Sequence, residues 1–160
     1  MTYKICFPPV VDEETRVVIL GSLPGDASLQ AGQYYAHPRN QFWRLLADCL
    51  HIPLVAQPYW QRLEILRQHR VGLWDVVAHA RRRGSLDTAL RDVKHNDLVS
   101  LFLLLPNLQL IAFNGRTAWL ATRQMAKLPF TLLQLPSSSP AYTLPYHIKL
   151  DQWKTIIGYL

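Results

Sequence analysis

The run Val17-Val18-Ile19-Leu20, closed by Gly21, constrains the fold more than any other segment. A continuous β-branched and aliphatic stretch has no polar face, so it reads as a strand buried on both sides. Such strands belong to parallel sheets covered by helices. Leu108 to Phe113 reads the same way, Phe130 to Leu135 reads as a fourth strand, and Val71 to Val77 reads as a further strand or strand-like edge. Between them lie segments of helical character. Asn40 to Leu50 has Phe42, Trp43, Leu45, Leu46, Cys49 and Leu50 at helical spacing behind Asn40 as a cap. Helices are also expected over Tyr59 to His69, Asp97 to Leu105, Thr117 to Lys127 and His147 to Tyr159, while the polar, basic stretch 81–97 reads as a surface connection with a short helix. The alternation predicts a three-layer α/β/α fold with a central parallel sheet of about four strands. Its ligand site should lie beyond the carboxyl ends of those strands.

Length and composition bound the rest. At 160 residues, of which 49% are hydrophobic and 18% charged, the chain reads as one domain spanning 1–160 with a sizeable core. Two cysteines, Cys6 and Cys49, are too few for a disulfide framework, a four-thiolate zinc site or an iron–sulfur cluster. No His, Cys or carboxylate cluster has metal-ligand spacing, so neither a metal nor another cofactor is expected. The start of the chain lacks an apolar signal region, and the longest apolar run, Leu101 to Leu105, is far short of the ~20 residues that span a bilayer. A cytoplasmic location with no membrane partner is therefore expected. The net charge of +6 favours a polyanionic partner, nucleic acid first.

Three loops carry unusual chemistry. Gly21-Ser22-Leu23-Pro24-Gly25 leaves the first buried strand with glycines that allow close backbone approach to a ligand, or simply form a tight exit turn. Tyr34-Tyr35-Ala36-His37-Pro38-Arg39-Asn40-Gln41-Phe42-Trp43 then packs aromatics, an imidazole, a guanidinium and an amide into a helix entrance. Asn114, before Gly115, can be a turn residue or a reader of a base edge, since a carboxamide offers a donor beside an acceptor. Ser137-Ser138-Ser139-Pro140-Ala141-Tyr142 is a Pro-Ser loop at the active end of the sheet, with hydroxyls suited to phosphate. Arg81-Arg82-Arg83 reads as a solvated basic surface, with phosphate steering as the second reading.

In order along the chain, GSLPGDAS, YYAHPRNQFW and LPSSSPAYT resemble the motifs of the uracil-DNA glycosylase superfamily, nearest its hypoxanthine-DNA (deoxyinosine) branch. Supporting matches are Gly72-Leu73-Trp74-Asp75-Val76, Gly84-Ser85-Leu86-Asp87, Asn96-Asp97 and Phe113-Asn114-Gly115. The resemblance implies a monofunctional DNA repair glycosylase. It would act as a monomer on double- or single-stranded DNA, flipping out a deaminated base and hydrolysing its glycosidic bond with water. Hypoxanthine would be preferred and uracil possible. Asn40, Ser22 and His37 would be catalytic, and Gly21, Leu23, Tyr35 and Asn114 would surround the base. Arg39 and Ser137, Ser138, Ser139, Pro140, Ala141 and Tyr142 would hold DNA. The match departs from other branches at Leu23, where mismatch-specific relatives have Asn and the main uracil branch Asp. Water positioning would then fall to Asn40, which as a helix cap could not easily do both. A DNA-binding or lesion-sensing module on the same fold is the alternative that Leu23 leaves open, and a serine hydrolase built on Ser137 to Ser139 lacks the GxSxG elbow.

Overall fold

A computed structural model describes residues 2–124 and 128–160. The central sheet has four parallel strands, β2 (Val17–Gly21), β3 (Val71–Asp75), β6 (Leu110–Asn114) and β7 (Thr131–Leu135), in the order β3-β2-β6-β7. All five residues of β2 are buried, as an apolar strand at the centre of a covered parallel sheet should be. One face is covered by α2 (Phe42–Leu50), α3 (Tyr59–Gln68) and α6 (Tyr146–Trp153), with Leu45, Leu46, Leu66 and Trp153 packed on Val17, Ile19, Leu73 and Ala112. The other is covered by α4 (Leu98–Leu103) and α5 (Arg116–Trp119), whose Leu98, Phe102 and Ala118 pack on Val18, Leu20, Ile111 and Phe113. This is the expected three-layer arrangement. A short α1 (Asp26–Ala31) interrupts the long loop after β2.

The stretch 81–97 departs from the sequence reading. Thr2–Ile5 forms β1, Val77–Arg82 forms β4 and Arg91–His95 forms β5, together a three-stranded antiparallel sheet in the order β1-β4-β5. The strand expected over Val71 to Val77 is therefore two strands, divided after Asp75, where the chain passes from one sheet to the other. Every residue of β5 is exposed, which is why its alternation carried no buried-strand signature. Arg82 is a second correction. It is wholly buried at 0% exposure while Arg81 and Arg83 are exposed. Its guanidinium donates to the carbonyls of Pro24 and Gly84, tying the first motif loop to the small sheet.

Three helices also differ at their ends. Asn40 lies outside α2, whose N-cap is Gln41. The helix expected over Thr117 to Lys127 is a single turn, α5, continued by 3-10 turns over Leu120–Gln124, and the remainder of that expectation lies outside the described residues. The final helix tightens to 3-10 over Lys154–Tyr159. Among the described residues no helix is long and apolar enough to cross a membrane.

Candidate active site

The loops after β2, β6 and β7 converge with the end of β3 on one cleft of about 600 Å³, a volume suited to a small organic ligand. Strand alternation sets its floor. Gly21 pairs in register with Asp75, and Asn114 pairs with Leu135. Asp75, Gly21 and Asn114 thus form a row across the carboxyl end of the sheet, on the face that carries Ile19, Leu73 and Ala112. Gly21 must lack a side chain here. A Cβ would lie 2.7 Å from Asp75 Oδ1 and 2.8 Å from the Tyr35 hydroxyl.

Three loops are joined by one chain of hydrogen bonds through Ser138, which is 1% exposed. Its hydroxyl donates to Asn40 Oδ1 at 2.8 Å and accepts from Asn114 Nδ2 at 2.9 Å. Its backbone N–H donates to Asn114 Oδ1 at 2.9 Å, and its carbonyl accepts from Gln41 N–H at 2.9 Å. Asn40 Oδ1 also accepts from the Phe42 N–H at 3.0 Å, which ties down the entrance to α2. That oxygen is thus occupied twice, and it could hold a water only by releasing one donor. Gly115 makes the approach of the Ser137–Ser139 loop possible. Its φ of +98° is in glycine's range, and a Cβ would meet Ser137 Cβ at 3.2 Å.

Tyr35 sits in the left-handed region at φ +54°, a strained setting for a bulky residue. Neighbouring bonds hold it there: Tyr34 N–H donates to Tyr59 Oη at 2.9 Å and Ala36 N–H to Ser28 Oγ at 3.0 Å. Phe42 stacks on the ring at 3.8 Å between centroids, with the planes 14° apart. The ring lines the cleft. Its hydroxyl is buried without a hydrogen bond of normal geometry, though the Asn114 side chain lies near enough to favour its ionised form slightly. Burial, and next the Asp75 carboxylate, push that phenol well above its ordinary range, so it stays neutral.

Ser22 donates to Asp87 Oδ1 at 2.6 Å across the cleft wall. His37 and Arg39 are exposed at the rim, where the Arg39 N–H donates to His37 Nδ1 at 3.1 Å. Leu23 is buried and packs against Val77 and Ala80 of β4. Pro140, Ala141 and Tyr142 are exposed at the mouth. Beneath that loop Lys149 is 1% exposed, and its ammonium donates to Gln41 Oε1 at 3.0 Å and to the Ser139 carbonyl at 3.3 Å. Burial holds its pKa below the usual lysine range.

Against this geometry the comparisons with known proteins are specific. Residues 8–158 match the uracil DNA glycosylase superfamily. The chain belongs to that superfamily. Among its relatives, a hypoxanthine DNA glycosylase of Methanosarcina acetivorans is 38% identical over 94% of this chain and 95% of its own. A hypoxanthine DNA glycosylase of Methanosarcina barkeri is 47% identical over 69% of this chain and 70% of its own. A solution NMR structure from Methanosarcina acetivorans, of a provisionally assigned uracil DNA glycosylase, superposes with a TM-score of 0.88 at 37% identity, covering 97% of this chain and 96% of that one.

The superfamily cleft in this chain also contains residues that sequence reasoning passed over. Asp75 and Asp87 both line it, together with Ser85, Leu86 and Thr88. Ser85 Oγ accepts from the Asp26 N–H at 2.8 Å. Asp75 and Asp87 stand within the supporting motif matches, GLWDV and GSLD, so the signal was present. It lacked the turn that places them, the 3-10 segment Asp87–Ala89 between β4 and β5. Asp75 is 3% exposed and its Oδ2 has no hydrogen-bond partner. Desolvation, and next the Asp87 carboxylate, raise its pKa to about 7, against the opposing pull of Arg82.

Proposed function

We propose that residues 1–160 act as one monofunctional DNA glycosylase that hydrolyses the bond between deoxyribose and a deaminated base, hypoxanthine in preference to uracil. The observation that carries this reading is the Asn40–Ser138–Asn114 hydrogen-bond chain. It locks the three motif loops around a cleft of nucleoside size beside a strained, stacked tyrosine. That both curated relatives are hypoxanthine DNA glycosylases supports the substrate choice.

The reaction passes through an oxocarbenium-like sugar and an anionic leaving base, so fixed dipoles aimed at that anion lower the barrier. The base, flipped from the helix, stacks on the face of Tyr35 that Phe42 does not cover. Asn40, with Oδ1 spent on Phe42 and Ser138, offers Nδ2 to the departing anion. With Nδ1 accepting from Arg39, His37 presents Nε2–H at the rim as a second donor. Leu23 closes the wall without taking part in proton chemistry, and water is the nucleophile. Arg39 and the Ser137–Tyr142 loop grip the strand, with the Lys149 ammonium bracing the loop from below. No metal or cofactor enters the scheme.

Duplexes carrying one deoxyinosine, incubated with the protein and then cleaved by alkali at abasic sites, test the reading. Strand scission is expected with inosine, more slowly with mispaired uracil, and not with the normal bases. Tight binding to the inosine duplex without scission would instead favour the lesion-sensing alternative, to which the apolar Leu23 lends support.

A further inference from the structure

Asn114 is the residue that the sequence offered as reader of the base edge, yet one donor and one acceptor of its amide are engaged by Ser138. The cleft holds a second pair of polar atoms whose needs are unmet. Asp75 Oδ2 is buried and lacks a partner, and Tyr35 Oη, buried near the Asn114 side chain, makes no hydrogen bond of normal geometry. The side chains that carry them meet over Gly21. Buried polar atoms are rarely left unpaired, because each costs its full desolvation. An unpartnered carboxyl oxygen on a residue that lines the cleft points to a ligand that brings the missing partner.

We propose that Asp75, as a neutral carboxylic acid, is a base-contacting residue: its carbonyl oxygen accepts from N1–H of the flipped hypoxanthine and its hydroxyl donates to O6. The proposal rests on the glycosylase reading above. A protonated carboxyl presents one donor beside one acceptor, the same pair as the carboxamide of Asn114. A carboxylate could only accept. It would face O6 with its own charge and oppose the negative charge that the base gains as the glycosidic bond breaks. A carboxylic O–H aimed at O6 does the reverse, strengthening as that oxygen becomes anionic.

The groups facing Asp75 keep it neutral. Its own burial is the largest influence and the Asp87 carboxylate, from the 3-10 turn, the next, both favouring the acid. Arg82, on β4, favours the carboxylate; its Nε and Nη2 donate to Gly84 and Pro24, while its buried Nη1 makes no hydrogen bond and lies 4.0 Å from Asp87 Oδ1. Tyr34 and Tyr35 of the motif loop, Tyr59 on α3 and Cys6 beside β1 complete the titratable surroundings, and each is itself held in its neutral form. The proton is thus present near neutrality and lost above it.

Single-turnover excision of deoxyinosine by wild type, Asp75→Asn and Asp75→Ala at pH 6, 7 and 8 tests the assignment, with the melting temperature of each variant as the folding control. With a carboxyl that titrates near pH 7, the wild-type rate should fall about tenfold between pH 6 and pH 8. Asp75→Asn keeps the donor and acceptor without the titration, so it should stay within about threefold of wild type at pH 6 and be flat to pH 8. Asp75→Ala should lose about a hundredfold or more. Wild type should also refuse N1-methyldeoxyinosine, a measurement that does not depend on any variant folding. A folded Asp75→Asn as slow as Asp75→Ala would overturn the proposal in favour of proton transfer. Full activity of Asp75→Ala, or ready release of N1-methylhypoxanthine by wild type, would overturn it outright. Wild type that releases no hypoxanthine at all would instead defeat the glycosylase reading itself.

Discussion

Removing one oxygen, the hydroxyl of Ser138, should loosen three loops at once. In Ser138→Ala the backbone contacts to Asn114 and Gln41 survive, because they use the Ser138 N–H and carbonyl. Lost are the bond to Asn40 Oδ1 at 2.8 Å and that from Asn114 Nδ2 at 2.9 Å. Asn40 Oδ1 keeps the Phe42 N–H, and water from the cleft can reach the freed amide of Asn114, so neither amide is stranded. The loss should come to about 1–3 kcal/mol, with Tm lowered by roughly 2–4 °C for each kcal/mol. Excision should suffer more than stability. Each carboxamide keeps one anchor but loses the hydroxyl that aligns it with the other, and misplacement by about an ångström costs on the order of a hundredfold in rate. The comparison is Ser137→Ala, whose hydroxyl accepts from the Ser139 N–H and, among the described residues, joins no second loop. Urea denaturation paired with single-turnover excision of deoxyinosine reads both effects. Equal losses in the two variants, or wild-type turnover by Ser138→Ala, would refute the idea that this hydroxyl aligns the site.

Gly21→Ala puts a methyl 2.7 Å from Asp75 Oδ1 and 2.8 Å from Tyr35 Oη; it should cost about 1–3 kcal/mol on denaturation and abolish excision. Tyr35→Phe removes a buried hydroxyl that makes no hydrogen bond of normal geometry, so stability should hold or rise by up to ~1 kcal/mol, and a loss in thermal melts would reveal that its contact with Asn114 is a bond. Tyr35→Ala should slow inosine excision more than uracil excision, since the larger purine gains more from stacking. The Asp75 pKa is raised from 3.8 to about 7 in the fold, so its contribution is fully present below pH 3.8 and lost as pH rises through 7. At pH 8 the buried carboxylate costs at most about 4 kcal/mol, and Asp75→Asn should therefore gain over wild type between pH 5 and pH 8 in melting experiments. With a net charge of +6, DNA affinity should fall linearly on a log–log plot as salt rises, by about 0.9 in slope per phosphate neutralised, and a flat line would argue against a DNA substrate.

The four central strands and the site-bearing loops were legible in the sequence because their signals are local. Val17 to Leu20 is apolar at every position, and only a strand covered on both faces tolerates that. Glycine, proline and mixed polar residues cluster where the chain leaves those strands. The motif resemblance carried superfamily and branch for the same reason, since it lies in short contiguous runs. The small antiparallel sheet was not legible. Its strand β5 is exposed throughout, so no burial pattern marks it, and what makes it a strand is pairing with β4, which in turn pairs with the distant β1. Arg82 illustrates the limit most clearly. Within the run Arg81-Arg82-Arg83 nothing distinguishes the three, and only strand alternation, with Pro24 and Gly84 arriving from either side, buries the middle one. Asp75 was likewise visible as a letter in a motif. Its environment was decided by the register that sets it beside Gly21 and by the turn that brings Asp87 over it, because desolvation and charge proximity are properties of three-dimensional neighbours. Asn40 shows both levels together: sequence offered a cap or a catalytic amide, and the tertiary contact with Ser138 commits its oxygen on a residue that lines the cleft.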